Sequence, residues 1–533
     1  MFYIVDIYSQ LCRLYKIEIF NQIINHRKMK TNILLILAII GMACTSPKAK
    51  ETEKNTETKQ ETSITSNSKG DNSSSKSTSQ DDGFKVVKGD VKMEFDIKNL
   101  NADGNPIKLI GMYVDKKYIA DSAKIHDNGK FEFTNDKLFL KGFYYVVLPG
   151  NKVIKLLLDN DQTFKYTADA SDIDKTAKID GSLANKLYYE DLNFKRGIDV
   201  DYGPIARKIG NMSLKDPQFK DTYKKFLQLS KKYSDRNDYY LKKYPDNFFT
   251  KFKIGGKNPV LTYPANANGE LDVSKQVEEY RKHFWDGFDF NEEGLINTPA
   301  FTNKLKRYFT ELIGQNQDQI IKYADVLMDK CKNNDEYYKV ISNWITLKYE
   351  PGKTKLMDGE AVYSHMILKY FTPERATWMD GESIKILRKR AGEMVQSLLN
   401  KPAGNVTARG FDGQVHTILD SKKPVIIVFI YNPNCEHCEK QTPELIQFYR
   451  KWKNKGVEVF SIAANTTEPE WKGFHNRFNL PWVDLFDATN ASWYPKYFVD
   501  VTPELYVIDK DRKIFAKNLN VGQLETIMAR INK

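Results

Sequence analysis

The stretch from Lys423 to Pro443, KPVIIVFIYNPNCEHCEKQTP, constrains the fold of this 533-residue chain more than any other. It opens on a β-branched apolar run, Val425-Ile426-Ile427-Val428-Phe429-Ile430, which reads as a strand buried on both faces. A polar turn, Asn432-Pro433-Asn434, leads into Cys435-Glu436-His437-Cys438 at an expected helix start. The first N–H groups of a helix lack partners and carry partial positive charge, so a thiolate placed there is stabilised. A thiol with a pKa of about 8.5 falls to about 3.5–7.5 in such a setting, and the thiolate is the nucleophile. A zinc knuckle would need about four ligands, and the sequence holds no second Cys pair and no His-x-x-x-His. The spacing therefore points to a redox dithiol, with no metal and no other cofactor.

Alternation and turn residues carry the reading onward. Strands are expected at 457–463 and 482–485, a helix at 471–478, and a strand at 504–509 directly after Val501-Thr502-Pro503. A turn at Lys510-Asp511, a strand at 513–516 and a closing helix at 523–531 complete the region. This β-α-β-α-β-β-α order, with the Cys-x-x-Cys after its first strand, resembles the thioredoxin fold. The resemblance implies that Pro503 is a cis-proline facing the dithiol, and that Thr502 and Pro503 offer backbone to a bound partner. Two positions depart from the family pattern. Phe429 stands where thioredoxins carry a buried Asp, and Gln441 stands where ResA-like proteins carry a Glu. No carboxylate base can be named from the sequence.

The net charge of +12 comes from 81 basic residues scattered among 69 acids. Without a long basic block or an aromatic nucleic-acid signature, this is a solvated lysine-rich surface and not a nucleic-acid interface. Near the N-terminus, Met29-Lys30-Thr31-Asn32 precedes the apolar run Ile33 to Ile40 and then Gly41-Met42-Ala43-Cys44. The run is short of the roughly 20 residues needed to cross a bilayer. Residues 1–44 resemble a leader and lipoprotein signal peptide, with synthesis starting at Met29 and Cys44 lipidated. Residues 45–83 are rich in Ser, Thr, Lys, Asn, Glu and Gln, and read as a disordered tether.

Residues 84–182 show short alternating runs separated by turns such as Asp127-Asn128-Gly129 and Pro149-Gly150-Asn151, the pattern of a small antiparallel β domain, sandwich or barrel. Residues 183–400 are mainly α-helical, with apolar spacing such as Ile320, Ala324, Leu327 and Met328. The many Tyr and Phe there are read as packing core. Residues 401–533 form the last domain, introduced by an Asp412-Gly413 hairpin.

The whole arrangement resembles exported thioredoxin-like lipoproteins of the TlpA/ResA type, with an N-terminal β domain and a helical middle domain of unknown function. That resemblance implies a thiol-disulfide oxidoreductase of the bacterial cell envelope, lipid-anchored through Cys44 on the periplasmic side or cell surface. Its partners would be disulfide-containing exported proteins and a membrane electron donor. Cys435 would attack, Cys438 would resolve, and Glu436 and His437 would tune. Two other classes share the fold. A thiol peroxidase would want a hydroxyl three residues before Cys435, where Asn432 sits; a binding or assembly lipoprotein would not need both Cys435 and Cys438.

Overall fold

The computed structural model describes residues 88–101 and 104–531. The leader, Met29, Cys44 and the tether over 45–83 lie outside them. Among the described residues no helix is long and apolar enough to cross a membrane.

The N-terminal strands are β1 (Lys88–Lys98), β2 (Ile107–Tyr113), β3 (Lys116–Ala123), β4 (Lys130–Lys137), β5 (Gly142–Val147), β6 (Val153–Leu158), β7 (Thr163–Asp169) and β8 (Lys178–Asp180). They form two four-stranded sheets, ordered β4-β1-β7-β8 and β3-β2-β5-β6. In β1, Met93, Phe95 and Ile97 are buried while Lys92 and Glu94 are exposed, the period-2 pattern of a sheet wet on one side. Between the sheets these side chains meet Leu109, Phe131, Tyr144, Leu156 and Tyr166. One expectation needs correction. The domain is not wholly antiparallel, because β1 and β7 pair in parallel from Lys92↔Thr163 to Lys98↔Asp169. Alternation fixes which face of a strand is buried but not the direction of its neighbour.

The second sheet is covered on its far face as well. Met112, Val114, Phe143 and Leu157 belong to the same apolar cluster as Phe248, Trp285, Leu295 and Phe301 of the helical region. Thr302 donates its hydroxyl to the Val114 carbonyl at 2.5 Å, and Asn297 donates to that of Lys141 at 2.8 Å. The sandwich and the helices therefore share a core in three layers. Side-chain oxygens start the helices: Asn247, Asp272, Asn316, Asn334, Asp358 and Asp380 each accept a backbone N–H at an N-cap.

The C-terminal sheet is built from β9 (Thr407–Gly410), β10 (Val415–Thr417), β11 (Val425–Tyr431), β12 (Val457–Ala463), β13 (Val483–Phe486), β14 (Glu504–Ile508) and β15 (Ile514–Ala516). Their order is β10-β9-β13-β12-β11-β14-β15. The apolar run β11 lies inside it, parallel to β12 and antiparallel to β14, with all seven residues buried. Helices Glu436–Trp452, Glu468–Phe478 and Leu524–Ile531 bury Leu445, Trp471, Phe474, Leu524 and Met528 on one face. Successive crossovers β11 to β12 to β13 step the same way along the sheet, which brings two of those helices to the same side. The opposite face, Ile426, Val428 and Ile430, is covered by Val406, Trp493 and Tyr497. The chain is thus multidomain, with a β-rich N-terminal part, a helical middle and a C-terminal α/β thioredoxin-like domain.

Candidate redox site

Strand β11 ends at Tyr431, and the turn that follows is tied down by one side chain. The Asn432 amide donates to the carbonyls of Ala464 and Asn465 at 3.0 Å each. Its oxygen accepts the Asn434 N–H at 2.8 Å, and its backbone carbonyl accepts the Cys435 N–H at 3.1 Å. Asn434 in turn donates to Glu470 at 2.9 Å, the residue that closes a capping box with Thr467. The Glu470 carboxylate accepts the Thr467 N–H, the Thr466 and Thr467 hydroxyls and the Asn434 amide, and these hydrogen bonds hold its pKa down at about 2.

This turn delivers Cys435 to the N-cap of helix Glu436–Trp452. Its sulfur accepts the Cys438 N–H at 3.4 Å and donates to the Thr502 carbonyl at 3.2 Å. Cys435 is half-buried, and Cys438 is sealed at 0 % exposure. Burial alone pushes the Cys435 thiol up. Hydrogen bonds from the Cys438 thiol and N–H, the Thr502 side chain and the His437 N–H outweigh it, so the net direction is down. Cys438 goes the other way, to about 12, through burial and the neighbouring Cys435. The pair is thus one acidic, reachable sulfur and one protonated, shielded sulfur, the asymmetry that thiol-disulfide exchange uses.

The other residues singled out in the sequence fall around this pair. Thr502 and Pro503 are partly exposed, joined by a cis peptide bond, and adjacent to Cys435. Glu436 is exposed and pairs with Lys440 at 2.5 Å, which lowers its own pKa. His437 is exposed and contributes its backbone N–H to Cys435. Gln441 accepts the Val521 N–H at 3.0 Å, a packing contact with the C-terminal segment. Cys44 lies outside the described residues. Among the described residues no three His, Cys, Asp or Glu side chains are grouped to hold a metal ion.

Sequence reasoning missed one buried carboxylate. Asp484 of β13 is 1 % exposed and accepts from Tyr431 Oη at 3.1 Å, Ser461 Oγ at 2.6 Å and Trp471 Nε1 at 2.8 Å, with His475 Nδ1 at 3.1 Å. It lies behind Tyr431, whose phenol burial pushes well up, with smaller contributions from Asp484 and Cys438. A single Asp between Val483 and Leu485 carries no motif, so only the paired strands reveal it.

Comparison with known proteins matches residues 399–517 to the AhpC/TSA family and residues 86–188 to a domain of unknown function, DUF4369. The thiol-disulfide oxidoreductase ResA of Bacillus cereus is 27% identical over 135 residues, 25% of this chain and 78% of that one. The ResA of Bacillus anthracis is 28% identical over 116 residues, 22% of this chain and 66% of that one. A solved thioredoxin-like protein from Bacteroides caccae aligns with 51% of this chain and 99% of its own at 17% identity, with a TM-score of 0.41. With an N-capped Cys-x-x-Cys after a buried strand and ResA relatives across the same residues, the C-terminal domain of this chain is a thioredoxin-like domain of the TlpA/ResA type, that of a thiol-disulfide oxidoreductase.

Proposed function

We propose that the chain works outside the cytoplasm, held to a membrane by lipid on Cys44, and uses Cys435 and Cys438 to reduce or reshuffle disulfides of exported proteins. The observation that carries this reading is the contrast between the two sulfurs, one lowered and half-buried, one pushed up to about 12 and fully covered. The Cys435 thiolate attacks a partner disulfide; one S–S bond breaks, a mixed disulfide forms, and one partner sulfur leaves as thiolate. Cys438 then loses its proton and attacks the Cys435 sulfur, releasing the second partner thiol. The partner gains two electrons and the enzyme ends as the Cys435–Cys438 disulfide. Repeated reduction requires a membrane electron donor to return those electrons. Thr502 and Pro503 offer backbone to the extended partner chain beside the disulfide, while Glu436 and His437 act from the exposed side as tuning groups.

A peroxidase reading has less support. Asn432 occupies the place of a peroxidatic hydroxyl, and its amide is engaged by the Ala464 and Asn465 carbonyls. The test is trapping. Cys438→Ser is expected to accumulate mixed disulfides through Cys435 in the cell envelope, and Cys435→Ser to abolish them. Absence of any trapped partner, together with no reduction of a model disulfide by the wild type, would sink the reading. Mass spectrometry of the mature N-terminus tests the anchor, and an unmodified Met1 or Met29 would remove it.

A further inference from the structure

The helical region and the thioredoxin-like domain meet around a lysine. Lys517, directly after β15, is 0 % exposed. Its ammonium lies 3.1 Å from the Ser397 carbonyl, 3.4 Å from Glu360 and 3.9 Å from Asp358. The Asn518 amide donates to the Glu360 carboxylate at 2.8 and 3.0 Å and to the Met357 carbonyl at 3.0 Å. The Asn518 backbone N–H donates to Glu504 Oε1 at 2.7 Å, and Glu504 directly follows Pro503.

Two more ties hold the other end of the same loop. The Phe498 N–H donates to Ser397 Oγ at 3.0 Å, and Arg390 pairs with Asp500 at 2.8 Å. Segment 498–504 is thereby fastened to residues 357–397 of the helical region directly at Phe498 and Asp500, and through Asn518 at Glu504. Its inner side touches the dithiol through the 3.2 Å contact of Cys435 with the Thr502 carbonyl.

We propose that the helical middle region is the positioning element of the redox site: through Glu360, Ser397 and Arg390 it holds loop 498–504 in the conformation that a bound disulfide peptide meets. The inference rests on the reading above in which Thr502 and Pro503 present backbone to the partner. A loop fixed beforehand leaves less conformational freedom to lose when a peptide lines up along it, so its loosening weakens binding more than chemistry. A disulfide with no peptide backbone does not use the loop and is indifferent to its order.

Arg390→Ala and Glu360→Gln, alone and combined in the full chain, separate positioning from simple support. With a disulfide-bonded peptide, the double variant is expected to raise KM about fivefold with kcat within about twofold of wild type. Reduction of a small aromatic disulfide and alkylation of Cys435 stay within about twofold, while amide hydrogen exchange over 498–504 quickens. A peptide KM unchanged in the double variant overturns the proposal. So does a parallel loss toward both substrates accompanied by a lower thermal transition, which would make these ties mere supports of the fold. Wild type that reduces the small disulfide and the peptide keeps the underlying function intact in either case; wild type that reduces neither removes both.

Discussion

Asp484 and the group Asp358, Glu360 and Glu504 are carboxylates set against the same seven-stranded sheet, and they are satisfied in opposite ways. Asp484, on the dithiol face, draws its hydrogen bonds from four side chains of its own domain. The other three share one ammonium, Lys517, across the junction with the helical region. One consequence is written in their protonation. Burial pushes Glu504 up to about 8 and also raises Asp358, against the opposing pull of Lys517. The comparison teaches two ways of satisfying buried acids: the carboxylate behind the dithiol is enclosed by donors of its own domain, and the junction acids are balanced against a single ammonium, with burial pushing Glu504 and Asp358 up.

Four measurements break or sharpen that contrast. Asp484→Ala strands several buried donors at once, and is expected to cost on the order of 3–5 kcal/mol. Urea unfolding of the C-terminal domain reads the loss, and a cost below about 1 kcal/mol would mean that water replaces the carboxylate. Lys517→Met removes the ammonium shared by the junction and is expected to cost about 3 kcal/mol at pH 7. The difference from wild type narrows as pH falls, because Asp358 and Glu504, which burial already pushes up and Lys517 no longer pulls down, take up protons. An equal loss at all pH values would show that packing, not charge, is what Lys517 supplies.

Glu504→Gln tests the proton directly. A carboxyl at about 8 in the folded chain, against an ordinary 4.5, binds its proton more tightly when folded. Its stabilising contribution is complete below about pH 4.5 and is lost as pH rises through 8. Wild-type stability should therefore fall between about pH 5 and 8 more steeply than that of Glu504→Gln, and parallel pH profiles would refute the assignment. The smallest effect belongs to Glu436→Gln. The exposed Glu436 already pairs with Lys440, so its removal is expected to lower the midpoint of Cys435 alkylation by about 0.3 pH unit or less. A larger drop would give this carboxylate a direct hold on the sulfur.

The dithiol stood out in the sequence because it follows from neighbours in the chain. A β-branched run, a polar turn and two cysteines one helical turn apart put the first sulfur at an N-cap with little help from elsewhere. The succession of strands and helices along the C-terminal domain was legible for the same reason, each element carrying its own periodicity. What the sequence hid depends on residues far apart. Lys517 looks like one more solvated lysine until Ser397 and Glu360, more than a hundred residues earlier, close over it. Asp484 looks like an interruption of a strand until Tyr431 and Trp471 arrive from two other elements. Likewise Phe143 and Leu157 announce burial without saying that helices, not a second sheet, will cover them.

The stretch joining the helical region to the last domain is stitched to the sheet edge by backbone. The Asn400 N–H donates to the Ile514 carbonyl, the Ile514 N–H to that of Lys401, and the Ala403 N–H to that of Arg512. A joint laced in this manner is a seam rather than a hinge between the helical region and the last domain. Under the proposed function, the bending then falls to the partner: a disulfide on a protruding or still-unfolded segment reaches the half-buried Cys435 more readily than one buried in a finished domain.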